Sequence, residues 1–508
     1  MDAATVSRLP CVSYAPFRRP GSTPLVPSGA VSVEQIEDDL MRLKPLTNCM
    51  RTYGVAQGLD AVPAVARKLG MRVRQGVWLG RDDATNRVEI ERAVSLAHDY
   101  HDVIDVLIVG NEVLLRRDLS VEQLTGYLRA VKSRTDIKVT YADVWEFWQR
   151  HAQLQNEVDW VTVHILPYWE DVPVAANDAA DHVFKIAHDM QTLFAGKPIW
   201  VGETGWPAAG RQRAGAKPGV FEQTLLVRRL ASRATAEGVS INIIEAFDQP
   251  WKRALEGAMG GAWGLFSADG ARRVNLSGDV THSPDARPVF IGVAVGFVLA
   301  LITLCINALI GKQTRQRVLR TAANLTAGIG AALIGVAVAE HVAFIDLWSR
   351  TSRESINAFA VAATILAATI VMLCVLSNER TQSIKRARRV ARSFAYAHLT
   401  VLFVAASWAL VLVADPRYRG FPIALFALPA VLSACWMLCA ERVDIHRHLH
   451  QESLFLSWAL VLVSAVMVIQ ERVANTEALT LAGWWVLLAA PSMVDAITRS
   501  RERQSSEQ

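Results

Sequence analysis

Along the first 285 residues, short apolar runs alternate with longer stretches whose apolar positions recur every three or four residues. The short runs read as strands: CVSYAP (11–16), MRTYGV (50–55), RVRQGVWLG (72–80), VLIVGNEV (106–113), IKVTYADV (137–144), VDWVTVHIL (158–166), PIWVGETGW (198–206) and VSINIIEAF (239–247). Several are apolar at successive positions instead of alternating, as strands buried on both faces must be. The intervening stretches carry helix-end signals. Ser32 with Gln35, and Ser120 with Gln123, have capping-box spacing. Gly70, Gly196 and Gly238 each follow an amphipathic stretch, where a left-handed residue is expected to end the helix. Eight strands alternating with helices predict a (β/α)8 TIM barrel, with a doubly wound sheet as runner-up. No GxGxxG follows the first strand, which weighs against the second fold.

From Pro288 onward the pattern changes to long apolar runs divided by short basic connectors. The runs are about 288–310, 322–345, 356–377, 393–414, 421–440, 453–470 and 478–496, each long enough or nearly so to cross an apolar layer of about 30 Å. The last two are the shortest, so six spans is the alternative to seven. The expected organisation is a barrel over 1–285, an α-helical transmembrane bundle over 286–498 and a tail over 499–508.

Composition averaged over all 508 residues, 52% hydrophobic and 20% charged, conceals that division. Charge sharpens it. Lys and Arg number fifteen in the connectors 311–320, 378–392, 441–452 and the tail from 497, against five in 346–355, 415–420 and 471–477. The rich side is expected to be cytoplasmic, which puts the barrel outside the cytoplasm. Ten residues before the first strand are too few for a secretory signal peptide, leaving export to the first apolar run or to a start further upstream, with a cytoplasmic enzyme domain as the third alternative. The net charge of +5 is spent on these connectors and does not suggest nucleic acid. Cys11 and Cys49 begin two strands that neighbour one another in the expected sheet, so a bridge between them is open to the fold. No cysteine or histidine spacing suggests a metal site, and no cofactor is implied.

A barrel places reactive side chains at the C-terminal ends of its strands. Glu112 ends the fourth strand and Glu203 ends the seventh, on opposite sides of the expected mouth. Paired carboxylates across a cleft are what glycoside hydrolysis requires, one protonated with a raised pKa and one ionised. Asn111 offers an amide beside Glu112. Tyr168 lies at the end of the sixth strand, where its hydroxyl is expected to donate to Glu203. Trp145, Trp148, Trp169 and Trp206 offer flat faces for pyranose stacking, with Trp206 a candidate acceptor platform. Asp248 and Lys252 stand at the eighth strand as hydrogen-bonding or charge-pairing groups.

These residues carry a resemblance to glycoside hydrolase family 17, the β-1,3-glucanases and β-1,3-glucan transglycosylases. It covers nearly all of 10–275 and rests on VGNEV (109–113), VGETGWP (201–207), FDQPWK (247–252) and WGLF (263–266), and less distinctively on VSYAPF (12–17) and MRTYGV (50–55), which holds Tyr53 as a substrate-binding candidate. The resemblance implies Glu112 as acid/base, Glu203 as nucleophile and retention through a covalent glycosyl-enzyme. FDQPWK departs from the pattern of many plant members, which unsettles any plant-like preference for substrate length. With the apolar half, the chain is similar to bacterial membrane-bound relatives of glucan assembly. The expected function is therefore a transglycosylase on β-1,3-glucan in the cell membrane, its barrel periplasmic, its neighbours membrane lipid and a separate glucan synthase. Hydrolysis of the same glucan is the close alternative, and a glucan-binding module of a transporter the distant one.

Overall fold

Eight short parallel strands close into one barrel in a computed structural model that describes residues 5–26, 30–280, 317–377, 384–415, 417, 419–439 and 450–507, with a few isolated positions between 290 and 298. They are β1 (Val12–Ser13), β2 (Cys49–Arg51), β3 (Arg72–Val77), β4 (Ile104–Asn111), β5 (Lys138–Val144), β6 (Val161–His164), β7 (Ile199–Thr204) and β8 (Ser240–Ile243). Six lie inside the runs read from the sequence, while β2 and β4 overlap theirs but start one and two residues earlier. Val12 pairs with Met50 on one side and Ile243 on the other, which shuts the ring. Closure explains the unbroken apolar runs: the ring of helices covers the outside and side chains fill the inside, so β7 has no exposed residue.

The helix ends follow local chemistry. Ser32 Oγ accepts from Gln35 N, and Ser120 with Gln123 makes both bonds of a capping box. Gly70 and Gly238 cap their helices in the left-handed conformation, and Gly196 also takes positive φ, two residues past the Phe194 that caps its helix. Cys11 and Cys49 form a disulfide across β1 and β2, separated by 38 residues. Closing a loop of that length withdraws entropy from the unfolded chain worth roughly 4 kcal/mol in the loop-closure account.

The chain divides into two compact units, Met1–His282 and Ser283–Gln508. The second is helical: Arg317–Trp348, Ser352–Ser377, Ile384–Ala414, Ile423–Cys439, His450–Glu471 and Thr476–Glu507. Five of these helices contain a stretch long and apolar enough to cross a membrane, and Ile423–Leu438 is a shorter apolar one. The sequence predicts seven spans; the first, 288–310, falls outside the described residues apart from a few isolated positions. The short helix is the fifth run and not the sixth or seventh, because Gly420, Phe421 and Pro422 precede its start and shorten it. Phe455, Leu462 and Ile469, seven residues apart and at least 67% exposed, form an outward apolar stripe on one helix, the surface a lipid environment would cover.

Candidate active site

The chain leaves β4 through Gly110 (φ +85°) and Asn111 into Glu112, whose backbone is itself left-handed (φ +54°). That conformation is uphill for a residue with a Cβ. It turns the Glu112 side chain over the barrel mouth, where it remains 22% exposed. Glu203 comes from within β7 and is nearly buried at 6%. Between them stands His164, the last residue of β6 and fully enclosed. Its Nδ1 lies 2.7 Å from Glu112 Oε1 and its Nε2 3.7 Å from Glu203 Oε1. One carboxylate oxygen of each glutamate and a His164 nitrogen all lie within 4.8 Å of one another.

Arg51, at the end of β2, enters this group from the other side with its side chain 1% exposed. Its Nη1 is 3.1 Å from Glu203 Oε1, donates to Gly202 O at 2.7 Å and stands 3.2 Å from His164 Nε2. Arginine only donates, so His164 Nε2 accepts and the proton sits on Nδ1, facing Glu112. Gly202 permits this convergence: a Cβ there would lie 2.5 Å from Thr162 Cγ2 and 3.4 Å from Arg51 Nη1. The cation among these donor atoms is thus the guanidinium of the chain itself. Arg51 Nη2 also donates to Asn111 Oδ1, which fixes the amide oxygen on the guanidinium and leaves the amide nitrogen as the donor of that side chain.

Burial pushes the Glu112 carboxyl up, but the His164 hydrogen bond and the nearby Arg116 and Arg51 charges outweigh it, so the group sits below its ordinary value. A raised value was expected for an acid. The sequence showed the pair of carboxylates but not the cations packed beside one of them. A neutral sugar filling the cleft would remove the remaining water from Glu112 and strengthen its hold on a proton.

Other assignments change with the tertiary structure. Tyr168 is fully buried and donates to Arg211 O at 2.8 Å, not to Glu203. The hydroxyl on Glu203 belongs to Tyr53, 2.9 Å from Oε1. Trp206 presents no face to a sugar: it is fully buried, donates to Lys217 O at 3.0 Å and packs edge-on with Tyr168. Trp148 is likewise in the core, donating to Thr162 O and packed against Phe194 and Tyr141. Trp145 and Trp169 stay half-buried, one bonded to Glu170 and the other beside the Arg213 guanidinium. Asp248 is taken up by Arg273 and Gly264 N in holding the loop after β8.

Lys252 pairs with both oxygens of Glu245, a fully buried carboxyl that burial pushes up to about 7 against the pull of that lysine. The sequence reading missed Glu245, Arg51, His164 and the 43%-exposed Trp78 at the end of β3. For three of them a signal existed: a charged or imidazole side chain within an apolar strand run needs a partner.

A (β/α)8 barrel with two carboxylates this close at the ends of its fourth and seventh strands is built as a retaining glycoside hydrolase is built. Residues 11–264, half of the chain, match the BtgE/BtgC glycoside hydrolase domain, and the chain belongs to that family. This agrees with the resemblance carried by VGNEV and VGETGWP. Among curated relatives, the probable β-glucosidase btgE of Aspergillus fumigatus is 25% identical over 224 residues, covering 43% of this chain and 39% of that protein. The glucan 1,3-β-glucosidase of Candida albicans is 26% identical over 260 residues, covering 47% and 84%. A solved structure, the glycoside hydrolase family 17 β-1,3-glucanosyltransferase of Rhizomucor miehei, is 25% identical, covering 53% of this chain and 97% of that one, with a TM-score of 0.47. The chain thus spans about two fifths of btgE but most of the Candida protein.

Proposed function

We propose that this chain is a membrane-anchored retaining enzyme that cleaves β-1,3-glucan and passes the glycosyl group to another glucan. The observation that carries the reading is the separation of the two carboxylates, with oxygens within 4.8 Å. Inverting enzymes need roughly 6.5–9.5 Å to admit a water between the groups, whereas about 5–5.5 Å suits direct attack. In the first step Glu203 attacks the anomeric carbon, the glycosidic C–O bond breaks and Glu112 gives its proton to the departing oxygen. In the second, Glu112 takes the proton of an incoming hydroxyl, whose oxygen displaces Glu203 from the anomeric carbon. Arg51 and Tyr53 aim the Glu203 carboxylate in both steps. The choice of β-1,3-glucan follows the family and the name of the Candida relative.

Transfer and hydrolysis differ only in the hydroxyl that enters. With Trp206 in the core, support for transfer comes from context: a barrel tied to a membrane unit suits remodelling of a glucan supplied by a separate synthase. The full-length protein in detergent, given end-labelled laminarihexaose, is expected to yield products longer than the substrate. Products that are only shorter would make it a glucanase.

The barrel is read as extracytoplasmic. The connector charges support this, and so does the Cys11–Cys49 disulfide, a bond that persists in oxidising compartments. Topology reporters fused after Gly311 and after Arg350 should report the cytoplasmic and the outer side respectively. The reverse pattern would place the barrel in the cytoplasm and remove extracellular glucan as its substrate.

A further inference from the structure

The left-handed backbone at Glu112 needs something to hold it, and β5 supplies the brace. Glu112 N donates to Ala142 O at 2.8 Å. Two residues on, Leu114 N donates to the Tyr141 hydroxyl at 3.2 Å, and Leu115 N reaches Asp143 Oδ2 at 3.4 Å. The Tyr141 hydroxyl in turn donates to Asp143 Oδ2, while Val144 N donates to Oδ1 at 2.8 Å. Tyr141 and Asp143 are both buried, so neither is satisfied by water. From the far side, Arg116 donates to Asn111 O and Leu79 O and closes the turn.

We propose that Asp143, clamped by Tyr141, is a positioning residue for Glu112, holding its turn and supplying the negative charge that governs when it carries a proton. This rests on the reading of Glu112 as the acid/base. The groups facing Glu112, which are the Nδ1–H of His164 from β6 and the guanidinium groups of Arg116 from the following loop and Arg51 from β2, all favour its ionised form. An acid that protonates a leaving group needs an opposing influence. Besides Glu203 across the cleft, Asp143 is the carboxylate that opposes them from the strand next to β4. Burial pushes Asp143 itself up to about 6; the Tyr141 hydrogen bond works against that, the Glu112 charge adds to it and His164 lowers it. Two carboxyls that repel in this way titrate as a pair.

The test is the pH dependence of kcat/KM in Asp143→Asn, which keeps the shape and removes the charge. Glu112 is then easier to ionise, so the alkaline limb should move down by about one pH unit, with the loss of activity greater on the neutral side than on the acid side. A purely structural Asp143 would lower kcat/KM evenly and leave the limb in place, which would overturn the proposal. Should Asp143→Asn fail to fold, carboxyl ¹³C titration of wild type and Glu112→Gln decides it. The Asp143 midpoint must fall when the Glu112 charge is gone, and an unchanged midpoint sinks the coupling. The same Glu112→Gln protein keeps the two readings apart. If it remains active, the acid/base assignment fails. If it is inactive while neither the limb nor the midpoint moves, only the role of Asp143 fails.

Discussion

Replacing Glu203 with Gln should lower turnover on the order of 10⁴-fold or more, the scale on which loss of a group from a covalent mechanism acts. The side chain is nearly isosteric and stays within reach of Tyr53 and Arg51, so thermal unfolding should change far less than activity. Glu112→Gln should be as damaging with substrates whose leaving group needs a proton, and much less so with an activated aryl glycoside. Azide then assigns the roles. Without the acid/base, azide attacks the glycosyl-enzyme and gives a β-glycosyl azide. Without the nucleophile, azide replaces the missing carboxylate directly and gives an α-glycosyl azide. Anomers in the opposite order would exchange the roles of Glu112 and Glu203, and activity surviving in both variants would remove the proposed mechanism.

Arg51→Met should have the second-largest effect, and on stability as well as activity. It deletes the cation that faces Glu203 Oε1 at 3.1 Å and also the donor to Gly202 O and Asn111 Oδ1. Glu203 then stays 6% exposed with the Tyr53 hydroxyl 2.9 Å and His164 Nε2 3.7 Å from Oε1, but with no guanidinium beside it. Removing one partner of a buried ion pair typically costs about 3–5 kcal/mol, because the other charge is left without compensation. Chemical denaturation should show a loss of that size, and kcat should fall because neither carboxylate is held in place. Arg51→Lys tests the geometry separately. A lysine restores the charge but is a single point donor and cannot reach three acceptors in a plane, so it should recover stability better than kcat. Equal recovery of both would mean that Arg51 contributes charge alone.

The arrangement also shows where a sequence is silent about aromatic side chains. Trp206 and Trp148 stand close to strand ends, where a barrel mouth is expected, and periodicity places Trp145 and Trp169 there too. Which of them face a sugar depends on the segments that fold over them. Trp206 is bonded to Lys217 O and Trp148 to Thr162 O, while Trp145 and Trp169 remain accessible on one side. Trp78, just past the end of β3, is the more exposed ring, with the Arg116 guanidinium 4.3 Å from its centre.

What the sequence determined by itself was local or periodic. Strand positions follow from apolar runs buried on both faces, and helix ends from Ser32, Ser120 and the glycines at 70, 196 and 238. The location of Glu112 and Glu203 follows from the rule that strand ends face the mouth. Each of these depends on neighbours within a few residues or on a single repeat. Tertiary structure decided the rest: that Tyr53 and not Tyr168 meets Glu203, and that Arg51 and His164 lie between the two carboxylates. It also set Asp143 behind Glu112. These contacts join strands far apart in the chain, 113 residues in the case of Arg51 and His164. Their energies depend on distances of a few ångströms inside a closed ring, and no spacing along one strand encodes a distance across the barrel.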